Sequence, residues 1–438
     1  MRIDRIGLRR FKSLYEVDIP LSDFSVVTGP NGSGKSNFAA AFDFLGETYR
    51  YGLEYAVGRA GGIDSIAYRR NKRTTAPVAF SLTASLNKSD LVNSLSFMRT
   101  KFDISDDEKL WLRHSFSIKA GNRIGDSTFI NAQEKIAIGV GSTTNEGLVL
   151  SVERSESEGL RVDIYESPDH PQLYELLSTG VMRRSENFRR YIEEVTIPTE
   201  LLISTMSNVP LIRDIRQALS RVQVYRLNPK SCRSPGLLTP NAVLQRDGSN
   251  LPGVIERMRR RQRRHNRPPR SLRQLTSSMS QVFPGLEAIS TSINSSGGLE
   301  IQLVEEGVGR PWAAHEISDG TIQYLALLAV LYDGTSPALM VEEPENSLHS
   351  WMLRSFIDMC RERPERQVLI TTHSPLVLKS VTPDQVILAW KRDGRTKLAR
   401  LLDIDPDAER MYSEEGLDVF EQYDSGFLPQ SLPQGRQS

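Results

Sequence analysis

Apolar and polar residues alternate at the start of the chain. Ile3, Ile6 and Leu8, then Tyr15, Val17 and Ile19, stand among charged neighbours and predict two half-buried strands. Residues 24–27 are a short apolar run, read as a central strand. Phe38, Ala41, Phe42 and Leu45 then recur at helical spacing, so residues 1–47 predict β-β-β-loop-α. Further strands are expected at 78–86, 110–118, 148–152 and 160–165, the last two flanking a polar turn at 153–159 as a hairpin. These strands predict an antiparallel sheet joined to the core. Residues 171–220 predict broken helices, and 222–227 a strand that ends before Pro229.

The pattern changes after residue 229. Pro, Ser, Asn and Gly dominate 229–253, predicting an ordered loop, and 254–273 read as a basic helix and loop. From about 283 a second half is expected to be parallel, with strands at 301–304, 338–341 and 367–371. Helices are expected at 321–332 and 346–363. Ser318 or Asp319 can cap the first of these helices, and Gly334 stands just past its end. Apolar strands alternating with helices imply an α/β protein with a mixed central sheet covered by helices on both faces.

Composition narrows the classes. The chain has 438 residues, 39% hydrophobic and 25% charged, with a net charge of +1, so no global field announces a nucleic-acid partner. No apolar run approaches the roughly 18 residues of a membrane span. The charged start does not read as a signal peptide. Cys232 and Cys360 are far apart and fit a reducing compartment, so a cytoplasmic protein is expected.

Directly after the first central strand comes G-P-N-G-S-G-K-S, comprising Gly29, Pro30, Asn31, Gly32, Ser33, Gly34, Lys35 and Ser36, with Asn37 following. The pattern is that of a phosphate-cradling loop. Its glycines let successive N–H groups face a phosphate, and the helix start offers its positive end to the anion. Lys35 can reach terminal phosphates, and the Ser36 hydroxyl can bind Mg²⁺ beside ATP. Three further motifs accompany it. In A-L-M-V-E-E-P-E an apolar strand ends in acids, where Glu342 can reach the metal and Glu343 can polarise a water. In I-T-T-H-S-P, His373 ends the next strand on the same expected edge. In I-S-D-G-T, Ser318 and the N–H of Gly320 open a helix and form a second candidate anion site. The bland alternatives are solvated acids, a structural histidine and a simple helix cap.

Taken together, these motifs resemble the ABC-type ATPases, and within them the SMC-like branch that includes SMC, RecF and the ATPase halves of OLD-type proteins. In that resemblance 29–36 is the Walker A loop, 317–321 a divergent signature and 341–345 the Walker B strand. Residues 346–349 are the D-loop, and His373 is the switch histidine. R-F-K-S at 10–13 resembles the branch's first strand. D-G-S-N-L at 247–251 resembles stand-alone predicted ATPases of bacteria and archaea. Glu342 replaces the usual aspartate, and Asp319 stands where glycine is usual. No Q-loop is evident, Gln245 being the nearest candidate. The resemblance implies a P-loop NTPase head at 1–47 and 222–428; residues 48–221 lie outside it and are expected from their own pattern to be an inserted β-rich subdomain and globular helical lobe, and the polar residues 429–438 a disordered tail. It also implies ATP hydrolysis with Lys35, Glu343 and His373 catalytic, and a homodimer in which each signature meets the opposite nucleotide.

Residues 257–273 hold nine arginines, among them Arg259, Arg260, Arg263 and Arg264. Such a run can bind the DNA backbone. It can equally be a face neutralised by other residues, and no interleaved aromatics suggest base stacking. Prolines interrupt any heptad pattern between 48 and 317, and no nuclease module is visible. Two roles remain open. One is an ATP switch in DNA repair or in defence against foreign DNA, with a nuclease supplied by a partner. The other is a switch that controls a separate effector protein without DNA contact.

Overall fold

A computed structural model describes residues 1–68, 76–87, 90–91, 108–121, 129–141, 147–167, 170, 185–239, 242–260, 270–334, 336–363 and 366–424. The tail expected at 429–438, and Arg263 and Arg264, lie outside the described residues.

Among the described residues thirteen strands form one mixed sheet. Its centre is parallel. Strand β3 (Phe24–Thr28) lies between β14 (Gln367–Thr372) and β15 (Val386–Arg392), and β13 (Ala338–Glu342) and β9 (Gln223–Tyr225) follow beyond β14. These strands are apolar throughout because both faces are covered. Neighbours on one strand face opposite cores: Val27, Met340 and Leu369 join one hydrophobic cluster, and Val26, Val341 and Ile370 the other.

The first cluster holds helix α1 (Lys35–Tyr51), with Phe38, Ala41, Phe42 and Leu45 buried as the spacing predicts. The second surrounds α2 (Asp319–Tyr332), which is buried at every position from Thr321 onward, and packs α3 (Ser350–Arg361) beside it. Ser318 caps α2 and Gly334 stands just past it in a left-handed conformation, φ 72°.

The other flank is antiparallel: β1 (Arg2–Phe11), β2 (Leu14–Pro20), β4 (Val78–Leu86), β5 (Lys109–Ala120), β6 (Phe129–Gly141), β7 (Leu148–Ser155) and β8 (Gly159–Ile164). The hairpin read at 148–165 is β7 paired with β8. Strand β16 (Arg395–Arg400) joins this flank to the parallel centre, bonded to β15 on one side and β2 on the other. Strand β6 escaped the pattern because polar residues interrupt its apolar positions.

Two expectations need correction. Residues 301–304 are strand, but not in a parallel half: they lie in β11 (Leu299–Glu305), between β10 (Leu286–Ile293) and β12 (Trp312–Ala313) of a separate antiparallel sheet. The helix expected from 346 begins at Ser350. Ser347 has a φ of 65° and Leu348 N–H bonds Glu345 O at 3.1 Å, so 346–349 are a turn.

Candidate functional site

Strand β3 delivers the chain into the glycine loop, and the loop's shape depends on residues far along the sequence. Gly29, Gly32 and Gly34 have φ values of 155°, 76° and 110°. A Cβ on Gly29 would lie 1.9 Å from Ala389 O in β15, and one on Gly34 would lie 2.1 Å from Thr396 Oγ1 in β16. Only glycine fits at these close approaches. Thr396 Oγ1 donates to Ser33 O at 2.8 Å and sits 2.7 Å from Ser13 Oγ, which accepts from Asn37 Nδ2 at 2.7 Å. Strands β1–β2, β16 and helix α1 thus fix the loop from beneath.

The loop fits a phosphate. Gly34 caps α1 without a side-chain hydrogen bond, so the helix start is not capped from within. The Ser33 hydroxyl is buried with no partner. Lys35 is buried and curls onto Gly29 O at 2.7 Å and Pro30 O at 3.1 Å. Burial pushes its ammonium down to about 8, while Glu343 and Glu345 oppose the shift. A buried cation satisfied by neutral carbonyls gains from an entering anion. Asn31, Gly32 and Ser36 are exposed at the rim.

The acids and the histidine share the edge beyond β13 and β14. Glu343 takes a left-handed φ of 49°, and its N–H bonds Thr371 O at 2.8 Å. Its carboxylate lies 4.0 Å from His373 Nε2 and accepts from Asn346 Nδ2 at 3.2 Å. Burial and the nearby Lys35 lower the His373 pKa, and Glu343 and Glu345 partly oppose this. Glu345 closes the edge: its Oε1 accepts from Thr372 Oγ1 at 2.7 Å and from His373 N–H at 3.0 Å. Lys35 is near enough to Glu343 and His373 to act on both electrostatically, and the group can polarise a water beside an anion.

Glu342 is buried and bonded by Arg246 Nη2 at 2.5 Å. Ser36 and Glu342 are the residues that would hold Mg²⁺, an ion that rarely needs an all-protein cage. Among the described residues no cluster of three His, Cys, Asp or Glu stands ready for a metal. Gln245 is exposed, and its Oε1 accepts from Ser249 Oγ at 2.5 Å within a local turn. Its neighbour Arg246 is the residue that sequence reasoning missed, because a lone arginine in a loop carries no spacing signal.

At the second candidate anion site a side chain of the segment meets one of the helix's own donors. Ser318 Oγ accepts the Thr321 N–H at 3.2 Å. Gly320 presses on the turn before α3, where a Cβ would lie 2.8 Å from Ser347 O. Arg233 holds the segment: it donates to Ala314 O at 3.1 Å and to Ile317 O at 2.6 Å, and pairs with Asp319 at 2.5 Å. Ser318 itself is exposed. Among the described residues no hydrogen bond joins Ser318 or Gly320 to the chain's own glycine loop.

The arginine run is partly spoken for. Arg259 and Arg260 both bond Glu256, at 2.7 and 2.8 Å, and these contacts hold that carboxyl down at about 2 against the cost of its burial. Arg257 is buried against Asp333.

The glycine loop between a parallel strand and a helix, with acids and a histidine at the neighbouring strand ends, defines a P-loop nucleoside triphosphatase. Residues 24–379 match the family described as "AAA domain, putative AbiEii toxin, Type IV TA system", and the chain belongs to that family, an ATPase family of the AAA type. No curated protein matches the chain.

Several solved structures are similar. A Smc head bound to the C-terminal winged-helix domain of ScpA shares 17% identity, covering 91% of this chain and 97% of that one, with a TM-score of 0.48. A Pyrococcus furiosus Smc head with an extended coiled coil, bound to the C-terminal domain of ScpA, shares 17%, covering 94% and 100%, at 0.47. The SMC head of Thermotoga maritima shares 14%, covering 91% and 99%, at 0.39. Among the described residues no helix is long and apolar enough to cross a membrane.

Proposed function

We propose that this protein binds ATP with Mg²⁺, hydrolyses it to ADP and phosphate, and closes into a homodimer around two nucleotides as a molecular switch. The observation that carries the reading is the proximity of Lys35 to Glu343 and His373 at one sheet edge, with His373 Nε2 4.0 Å from Glu343 Oε1. Phosphoryl transfer to water asks mainly for positioning and charge neutralisation. Backbone N–H groups of Gly32, Gly34, Lys35 and Ser36 hold the phosphates, and Lys35 trades its two carbonyl partners for their oxygens. Glu343 orients the water and takes its proton. His373, whose pKa burial and the nearby Lys35 lower, accepts or donates a hydrogen bond at the water or the terminal phosphate. Ser36 and Glu342 would hold Mg²⁺, which supplies charge neutralisation at the phosphates. Ser318 and Gly320 act on the nucleotide of the opposite protomer, a reading supported by the exposure of Ser318 and by the signature resemblance.

The test is Glu343→Gln. It should bind ATP, lose about 10²- to 10⁴-fold in turnover as expected for removal of a general base, and accumulate as a dimer seen by light scattering. A monomer mass at saturating nucleotide removes the homodimer from the reading. Hydrolysis at the wild-type rate removes Glu343 from it.

For the cellular role, the family's description as a putative toxin of a toxin–antitoxin system supports defence over repair. Glu256 bonds both Arg259 and Arg260 and offsets one of their two charges, which favours the second reading, a switch acting on a separate effector protein rather than on DNA. Salt-dependent retention of the protein on DNA, lost on changing Arg259, Arg260, Arg263 and Arg264 to glutamate, would restore the DNA reading.

A further inference from the structure

The turn at 247–251 has no part in the cycle above, yet it is closely built. Asp247 Oδ1 accepts the Ser249 N–H at 3.0 Å, Asn250 Oδ1 accepts the Gln245 N–H at 2.7 Å, and Asn250 Nδ2 donates to Val243 O at 2.7 Å. Gly248 has a φ of 81°, and a Cβ there would lie 2.4 Å from Cys232 Sγ. Backbone bonds from Arg226 N–H to Arg246 O at 2.8 Å and from Asn228 N–H to Asp247 O at 3.1 Å fasten the turn to the chain leaving edge strand β9.

What this mount presents is Arg246. Its Nη1 donates to Asp43 Oδ2 at 2.7 Å and its Nη2 to Glu342 Oε1 at 2.5 Å. Asp43 lies on α1, eight residues after Lys35, and Glu342 ends β13. One guanidinium therefore ties the helix of the phosphate loop to the strand of the acids. Glu342 is only 4% exposed in its side chain, so its charge requires a counter-charge. Arg246 is 37% exposed and lines a cavity of about 630 Å³ together with Arg50, Tyr51, Tyr55 and Arg226. It has room to move.

We infer that Arg246 is a positioning residue that competes with Mg²⁺ for the Glu342 carboxylate. Arg246 neutralises Glu342 while the site lacks metal. It gives up Glu342 but keeps Asp43 when a divalent charge takes over beside Ser36. Asp43 is thus the retreat that makes the release affordable. This inference rests on the proposed ATP and Mg²⁺ reading of the same site.

The test uses the full chain and a non-hydrolysable fluorescent ATP analogue, titrated with Mg²⁺ at equilibrium, so the readout is binding and not turnover. Arg246→Gln removes the competitor and should lower the half-saturating Mg²⁺ concentration about fivefold, the scale of one partly exposed ion pair. Asp43→Asn removes the retreat and should raise it. The double variant should follow Arg246→Gln. Arg246→Lys, which keeps the charge but loses the two-pronged geometry, should fall between Arg246→Gln and wild type, and it serves if Arg246→Gln does not fold.

An unchanged or raised Mg²⁺ midpoint for the Arg246 variants, with only the melting temperature lowered, makes Arg246 a structural brace and overturns the inference alone. Equal binding of the analogue by wild type in Mg²⁺ and in a chelator overturns the metal reading of the site and this inference with it.

Discussion

Two helices in this protein begin at motifs suited to anions, and they differ in who satisfies the exposed backbone. Helix α1 starts at Gly34, with no side-chain cap, beneath a loop of left-handed glycines and a buried lysine bonded only to carbonyls. Helix α2 starts at Ser318, whose hydroxyl takes up the Thr321 N–H, with Asp319 in its first turn paired to Arg233. Every helix start has orphan donors and a positive end. It becomes a ligand site only when the chain leaves those donors unmet. The difference lies in the side chains: α1 has no side-chain cap, whereas in α2 the Thr321 N–H is already taken by Ser318, so a role for Ser318 requires something that outcompetes its own cap.

The largest effect expected at the open start is Lys35→Ala. It should weaken ATP binding by about 10²-fold, in line with the loss of charged hydrogen bonds worth roughly 1.5–3 kcal/mol each. Equilibrium binding of a fluorescent analogue measures it. Binding within a few-fold of wild type would break the contrast, because the lysine would then be a structural residue. Next is Ser318→Ala. If Ser318 is only a cap, the variant loses about 1 kcal/mol of stability in denaturant unfolding and keeps full turnover. The opposed-signature reading expects turnover to fall far more than that loss explains. Mixing Ser318→Arg with Lys35→Ala protomers should then restore some activity, since one composite site in the mixed dimer keeps an intact loop facing an intact signature.

The smallest expected effect is on pH. Lys35 binds phosphate as an ammonium, and in the free protein burial has brought its pKa down to about 8. ATP affinity should therefore hold at neutral pH and decline as pH rises through about 8, by up to tenfold per unit. The stability of the free protein should run the other way. Between about 8 and the ordinary lysine value the unfolded chain holds a proton that the folded one lacks, so rising pH favours folding. Lys35→Met should flatten both profiles. A profile unchanged by that substitution assigns the titration to another group.

The open start was legible in the sequence because its requirements are local. Glycines at fixed spacing answer to backbone angles, and Phe24–Thr28 and α1 carry their own periodicity. The acid and histidine strand ends were legible for the same reason. What was not legible was the support. Thr396 touches the loop from 363 positions beyond Ser33 and belongs to a strand of mixed polarity. Arg246 and Arg233 act through geometry that no spacing encodes. The orientation of residues 301–304 depended on which partner they would find, and a short apolar run is silent on that. Arg259 and Arg260 looked free until the fold placed the buried Glu256 beside them.

Strand β3 has a further consequence, for biosynthesis. It has no partner among the residues that precede it, because its neighbours are β14 and β15, whose first residues are Gln367 and Val386. At ordinary synthesis speeds of 5–20 residues per second, roughly twenty seconds to a minute passes between the emergence of Phe24 from the ribosome and the arrival of its flanking strands. For that interval the nascent chain carries a continuous apolar segment and a glycine loop with nothing beneath it. Its pairing is among the most non-local in the molecule and is correspondingly slow to form. Chaperone capture of the first fifty residues, and premature pairing between neighbouring chains on one polysome, are therefore the hazards this topology imposes before any nucleotide is met.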